Sequence, residues 1–77
     1  MSKVTVWTKP NCVYCDKAKD LLEESGHIDV EYRMIGHGYT REQFFESNPN
    51  QKTVPQIWIN DEHIGGYDDL KNRLTSL

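Results

Sequence analysis

Cys12 and Cys15 are the only thiols in the 77-residue chain, and two residues separate them. Such a pair can be half of a metal site, a structural disulfide or a redox-active dithiol. A disulfide that closes so short a loop constrains little of the unfolded chain. Structural zinc needs about four ligands, and the available histidines, His27, His37 and His63, are isolated from one another. A reactive dithiol is therefore the favoured interpretation, and no metal site is predicted.

The composition is that of an ordinary globular protein. The chain is 36% hydrophobic and 27% charged, with a net charge of -3. Without a basic patch, nucleic acid is not expected as a partner. No apolar run approaches the ~20 residues that span a bilayer, and the first residues show no signal-type apolar region. We therefore expect one domain over residues 1–77, located in the cytoplasm and without a membrane partner.

Alternating polarity predicts strands, apolar residues at helical spacing predict helices, and turn residues separate them, which gives seven elements in the order β-α-β-α-β-β-α. Strands are predicted at residues 3–8, 30–35 and 55–60, and a short fourth strand returns from a tight turn within residues 61–66. A strand–helix–strand start favours a parallel, right-handed crossover. The expected fold class is therefore α/β, with a four-stranded mixed sheet flanked by three helices.

Capping residues delimit the first two helices. The first helix is predicted over residues 13–25, with Gly26 as its C-terminal capping residue. Thr40 can cap a short second helix, because Gln43 follows at the spacing of a capping box. Pro49 prevents that helix from continuing.

The closing segment, "DDLKNRLTSL" at residues 68–77, is predicted as the third helix. Asp68 is its expected N-cap, because a short acidic side chain can accept hydrogen bonds from the first free amides of a helix. The spacing of the leucines places Leu70, Leu74 and Leu77 on the side that faces the core.

The dithiol lies where the first strand gives way to the first helix, so Cys12 is expected at or just before the first helical residue. Unpaired amides and the positive end of the helix dipole favour an anion there. The pKa of a thiol at a helix start falls from about 8.5 to roughly 3.5–7.5, and Lys9 can add positive charge. Cys15, one turn into the helix, should be more shielded. We therefore expect Cys12 to attack a substrate and Cys15 to resolve the mixed disulfide.

Three motifs, "KPNCVYC", "TVPQIWIN" and "GGYDDL", occur in that order and together resemble glutaredoxin over nearly the whole chain. The resemblance implies a thioredoxin-like fold and a glutathione-dependent oxidoreductase. Such an enzyme reduces protein disulfides and glutathione mixed disulfides, with Cys12 and Cys15 as the catalytic pair. Glutathione is then a co-substrate, and no tightly bound cofactor is expected. The commonest family form has proline where this chain has Val13.

The resemblance also implies a set of glutathione-binding residues. These are Lys9, Tyr14, Thr53, Val54, Pro55, Gly66, Tyr67 and Asp68. Pro55 is implied to follow a cis peptide bond and to face Cys12, so that the backbone of Val54 can pair with the cysteinyl part of glutathione like an added strand. Lys9 is implied to bind the glycyl carboxylate, while Tyr14 borders the groove.

The glycine-rich motif is implied to form the other end of the groove. Glycines 65–66 let a ligand approach the backbone closely. Asp68 is expected to attract the ammonium group of the glutamyl part, while amides at the helix start hold its carboxylate. Two roles stay open at this point. Arg41, or alternatively Gln43, could assist the glycyl carboxylate, and Asp69 could be a binding residue or only a favourable first-turn charge.

Two other functions compete with glutathione-dependent catalysis. A redoxin reduced by thioredoxin reductase would carry different residues between its cysteines and would lack the acidic glycine-rich turn. A non-enzymatic iron–sulfur carrier stays open because no proline follows Cys12, although Cys15 and the absence of a "CGFS" sequence favour catalysis. The expected partners are glutathione and disulfide-containing or glutathionylated proteins, with ribonucleotide reductase as a family-level candidate. The chain is expected to act as a monomer.

Overall fold

Strands and helices follow the predicted order in the computed structural model, which describes residues 3–26 and 29–75. The elements are β1 (Val4–Thr8), α1 (Val13–Glu24), β2 (Val30–Met34), α2 (Arg41–Ser47), β3 (Gln56–Ile59), β4 (Glu62–Gly65) and α3 (Tyr67–Thr75). Each strand is shorter than predicted, because the ladder of hydrogen bonds ends before the alternating pattern does. The predictions that involve His27 and Leu77 lie outside the described residues.

β1 lies inside the sheet, whose strand order is β2-β1-β3-β4. It pairs in parallel with β2, where Val4 lies opposite Val30. It pairs antiparallel with β3, where Trp7 lies opposite Gln56, and β3 pairs antiparallel with β4. The predicted mixed sheet is therefore confirmed. Because β1 ends beside the start of β3, the loop that follows β1 and the loop that precedes β3 meet at the same end of the sheet.

The two faces of the sheet pack against different helices. The fully buried core consists of Val4, Val6, Ala18, Leu22, Ile57 and Leu70. These residues join one face of β1 and β3 to α1 and α3, and Leu74 packs against them. On the opposite face, the ring centroid of Trp7 lies 5.8 Å from that of Phe44 on α2. The predicted flanking of the sheet by helices is thus confirmed on both faces.

Local capping signals place α2 as expected, whereas α1 ends one residue earlier than predicted, at Glu24. The amide of Gln43 donates to Oγ1 of Thr40 at 3.1 Å, and the amide of Thr40 donates to Oε1 of Gln43 at 2.8 Å. The predicted capping box of α2 is therefore confirmed. At the end of α1, Ser25 is the capping residue and Gly26 follows it with φ +80, a conformation that glycine adopts without strain. None of the helices within the described ranges is long and apolar enough to cross a membrane.

The prediction that Asp68 is the N-cap of α3 is wrong. The helix already begins at Tyr67, so Asp68 lies within its first turn and not before it. Oδ2 of Asp69 accepts a hydrogen bond from the amide of Gly66 at 3.1 Å. Gly66 directly precedes the helix, and Asp69 follows it by three residues. At this spacing a carboxylate can reach back to the amide, as in one half of a capping box. Asp69 therefore satisfies the backbone at this helix start and leaves the side chain of Asp68 exposed.

Replacing Thr40 by alanine should lower the free energy of unfolding by about 1 kcal/mol, because the substitution removes the side-chain acceptor of the Gln43 amide. Thr40→Ser keeps that oxygen and should unfold at nearly the native urea midpoint. Urea titration followed by tryptophan fluorescence measures both variants. Equal midpoints for the two variants would show that the capping box contributes nothing to stability.

Candidate active site

The two cysteines form a disulfide at the start of α1, with their Cα atoms 5.2 Å apart, so the structure describes the oxidised form. Cys12 is the N-cap of α1 and has extended backbone, and its Sγ accepts a hydrogen bond from the amide of Cys15 at 3.2 Å. The prediction that Cys12 precedes the first helical residue is confirmed. The first sulfur therefore occupies the position at which a helix stabilises an anion.

The cysteines differ in exposure as the sequence predicted. Cys15 is 4% exposed, since it shares the buried face of α1 with Ala18 and Leu22. Cys12 is half-buried, and the intervening Val13 and Tyr14 are 66% and 55% exposed. Only the first sulfur is thus accessible to a large partner, while the second lies directly beneath it.

The loop before β3 faces this dithiol. The peptide bond between Val54 and Pro55 is cis, as the resemblance implied. The carbonyl oxygen of Val54 lies 3.9 Å from Sγ of Cys12. Pro55 itself is buried, whereas Thr53 is exposed. The antiparallel pairing of β1 with β3 therefore brings the backbone of residues 53–54 beside the accessible sulfur.

A cleft of about 650 Å³ opens beside Cys12, between the dithiol turn, α2 and the loop of residues 52–54. Ile35, Phe44 and Phe45 form an apolar part of its wall. Its charged lining residues are all basic, namely Lys9, Arg41 and Lys52. This end of the site is therefore suited to a carboxylate, and it lies next to a surface that can contact aliphatic groups.

A second depression of about 350 Å³ adjoins this cleft and shares Tyr14, Thr53 and Val54 with it. Its other lining residues are Pro55, Gly66, Tyr67, Asp68 and Asp69. The rings of Tyr14 and Tyr67 lie with centroids 5.9 Å apart. Here the charged residues are both acidic, so the combined groove is basic at one end and acidic at the other.

The structure brings the sequence-predicted residues together. All eight residues expected to bind glutathione line one or both depressions, and Cys12 lines the larger one. Cys15 lies below the surface. Sequence reasoning did not identify Lys52 as a lining residue, although its position directly before Thr53 was a usable signal. Of the two adjacent phenylalanines of α2, Phe44 is buried and Phe45 is 44% exposed at the cleft.

Hydrogen bonds to arginine and burial displace the pKa of three side chains on β2 and β4. A hydrogen bond from Arg33 lowers the pKa of Glu31, and a hydrogen bond from Arg73 lowers the pKa of Glu62. Burial raises the pKa of Tyr32. Within residues 3–26 and 29–75, no group of three or more His, Cys, Asp or Glu side chains could hold a metal ion.

Comparison with known proteins confirms the resemblance to glutaredoxin. The family model described as Glutaredoxin matches residues 4–64. Glutaredoxin 3 of Escherichia coli strain K12 is 41% identical over 70 residues, which cover 91% of this chain and 83% of that relative.

Solved structures agree in fold. Glutaredoxin 1 from Francisella tularensis, complexed with cacodylate, superposes with a TM-score of 0.79 at 36% identity and covers 95% of this chain and 93% of its own. A buckwheat glutaredoxin–glutathione complex superposes with a TM-score of 0.68 at 26% identity, covering 94% of this chain and 68% of its own. With its dithiol at the helix start and these matches over nearly its whole length, the chain belongs to the glutaredoxin family of glutathione-dependent dithiol oxidoreductases.

Proposed function

We propose that this glutaredoxin binds glutathione along the two adjoining depressions and uses Cys12 to reduce glutathionylated and disulfide-bonded proteins in the cytoplasm. The observation that carries the proposal is the charge of the groove, which is basic beside Lys9 and acidic beside Asp68, with Cys12 on the same surface. Glutathione is complementary to such a surface, because a carboxylate ends its glycyl part and an ammonium group lies on its glutamyl part. The buckwheat glutaredoxin, whose structure is a glutathione complex, supports the assignment.

The glycyl carboxylate of glutathione would lie at the basic end of the groove. Lys9 is the assigned partner, and Arg41 and Lys52 line the same cleft. No ion pair or hydrogen bond within the described residues engages these three side chains, so they can turn toward a ligand carboxylate. The cysteinyl part would pair with the backbone of Val54, which faces Cys12.

The glutamyl part would lie at the acidic end. The exposed carboxylate of Asp68 can attract its ammonium group, whereas Asp69 is already engaged by the amide of Gly66. We therefore assign Asp68 to ligand binding and Asp69 to the helix start. The rings of Tyr14 and Tyr67 would border the ligand between the two ends.

Reduction of a glutathionylated protein needs only the first cysteine. The thiolate of Cys12 attacks the glutathione sulfur of the mixed disulfide, a new Cys12–glutathione disulfide forms, and the protein leaves as a thiolate that takes up a proton. A second glutathione thiolate then attacks the glutathione sulfur bound to Cys12. Oxidised glutathione is released and the Cys12 thiolate returns.

Reduction of a protein disulfide uses both cysteines. The Cys12 thiolate attacks one sulfur of the substrate and displaces the other as a thiolate. The Cys15 thiolate then attacks Sγ of Cys12, which releases the fully reduced substrate and leaves the Cys12–Cys15 disulfide. Two glutathione molecules supply the two electrons that restore the dithiol, and they leave as oxidised glutathione. The disulfide form described above is the product of the second step.

Within this proposal, residues 1–77 act as one domain and as a monomer. Glutathionylated and disulfide-containing proteins are the partner class, and ribonucleotide reductase is a candidate on family grounds alone. Gel filtration of the Cys15→Ser variant, trapped through Cys12 as a mixed disulfide with a protein-disulfide substrate, would test the one-to-one complex that a monomer requires.

An assay of NADPH oxidation distinguishes an enzyme that is reduced by glutathione from one that is reduced by thioredoxin reductase. With a glutathionylated peptide, glutathione and glutathione reductase, the chain should support continuous turnover, because each cycle yields oxidised glutathione. Thioredoxin reductase in place of the glutathione system should give no more than background oxidation. The reverse pattern would reject glutathione as the reductant.

The two cysteines should respond differently to replacement by serine in that assay. Cys12→Ser removes the attacking sulfur, so turnover should fall to the uncatalysed rate with every substrate. Cys15→Ser retains the backbone amide that donates to the first sulfur, so removal of glutathione from a peptide should stay within about threefold of the native rate, whereas reduction of a protein disulfide should be largely lost. Turnover by the Cys12 variant would contradict the assignment of the nucleophile.

Asp68→Asn should raise the KM for a glutathionylated peptide by about three- to tenfold, because a charge-assisted hydrogen bond to the ammonium group is lost. A mixed disulfide made with glutathione that lacks this amino group should show nearly the same KM for the variant and the native enzyme. Asp20→Asn, on the exposed part of α1, is the matched control for loss of one negative charge. An equal increase with both substrates would indicate that Asp68 acts on something other than the ammonium group.

A further inference from the structure

The segment between α2 and β3, residues 48–55, has no helix or strand of its own, although it carries the backbone that faces Cys12. One turn-type bond within it joins the amide of Gln51 to the carbonyl of Asn48 at 3.1 Å. Residues 53–54 must therefore be held by contacts from neighbouring elements if they are to present a fixed edge to a ligand.

The side chain of Gln56, at the start of β3, makes that contact. It is 3% exposed, and its Nε2 donates to the carbonyl oxygen of Thr53 at 2.9 Å. The same nitrogen lies 3.5 Å from Oε1 of Gln51. A carbonyl oxygen can only accept, so the nitrogen of the Gln56 amide must be the atom that faces Thr53.

His63 of β4 fixes the other end of this amide. Its Nε2 lies 2.7 Å from Oε1 of Gln56, and because that oxygen only accepts, Nε2 carries the hydrogen. The imidazole stacks on the ring of Trp58, with centroids 4.9 Å apart. Nε1 of Trp58 donates in turn to Oδ1 of the buried Asn48 at 2.8 Å. The side chains of β3 and β4 thus hold both ends of the 48–55 segment.

We propose that Gln56 is a positioning residue for the glutathione groove, with His63 fixing the direction of its amide. This inference rests on the proposed function, because it assumes that the ligand pairs with the backbone of Val54. Gln56 is buried on the far side of the loop and lines neither depression, so it acts through Thr53 and not by touching glutathione. Without it, binding would have to order residues 53–54, and the affinity for glutathione would fall.

Gln56→Met tests the proposal, since methionine has a similar shape and no hydrogen bonds. The KM for a glutathionylated peptide should rise by about three- to tenfold, as expected for loss of one buried hydrogen bond. The kcat should change by less than about twofold, because a peptide bound by the variant meets an unaltered sulfur. Alkylation of Cys12 by iodoacetamide in the reduced protein should proceed at the native rate. A native KM for Gln56→Met would overturn the proposal.

Two variants at His63 test whether this residue orients the amide of Gln56. His63→Phe keeps an aromatic ring against Trp58 and loses the donor to Gln56, so it should reproduce part of the increase in KM. His63→Gln keeps a donor and should return the KM toward the native value. If the phenylalanine variant has a native KM, or the glutamine variant is the more impaired of the two, His63 does not orient the amide.

Ile59→Val controls for a general loss of stability. Ile59 lies on the same strand, but it packs against the core on the opposite face of the sheet. The variant should unfold more easily, by about 1 kcal/mol, at an unchanged KM. An increase in KM equal to that of Gln56→Met would show that loosening of β3 is sufficient and would reject the positioning role. Failure of the proposed function is a separate outcome, since the native enzyme would then lack glutathione-dependent turnover.

Discussion

The chemistry of this protein depends on one hydrogen bond, from the amide of Cys15 to the sulfur of Cys12 at the start of α1. A helix leaves its first amides without partners, and an oxygen-bearing side chain usually supplies them. Here the capping atom is a sulfur, so the interaction that caps the start of the helix also favours a thiolate. The sulfur that caps α1 is thus also the proposed nucleophile, and its position cannot shift without loss of the cap.

The remaining parts of the groove follow from strand pairing. β1 leads into the dithiol turn, and β3 runs antiparallel beside it, so the segment before β3 must lie close to Cys12. β4 returns along β3 and leads directly into α3, which brings the acidic turn to the far end of the same surface. Cys12 and Val54, which are 42 positions apart in sequence, therefore share one groove because of the order and direction of the strands.

The sequence predicted the features that depend on neighbouring residues. The capping box of Thr40 and Gln43 needs only a spacing of three, and the order of strands and helices needs only the local period of apolar residues, which is two for a strand and three to four for a helix. α3 begins before the predicted cap, Asp68, because the side chain that satisfies the free amide is that of Asp69, which reaches back to Gly66 from within the first turn. The expected groove residues came from the resemblance of the motifs to a family, and not from local patterns.

The contact between Gln56 and His63 could not have been predicted in this way. It depends on the register of β3 against β4, which shifts between Ile57 and Trp58 and places His63 opposite Trp58. An alternating pattern predicts a hairpin and gives no account of such an irregularity.

The opposite charges at the two ends of the groove have a consequence for regioselectivity. Under the proposed binding mode, the only ammonium group of glutathione would lie at the acidic end of the groove, and this would fix the direction of the tripeptide. Its own sulfur would then be the atom nearest Cys12, and the thiol on the far side of the mixed disulfide would become the leaving group. The protein to be repaired would thus be released at the first chemical step, whatever its sequence, and the enzyme would retain the small fragment.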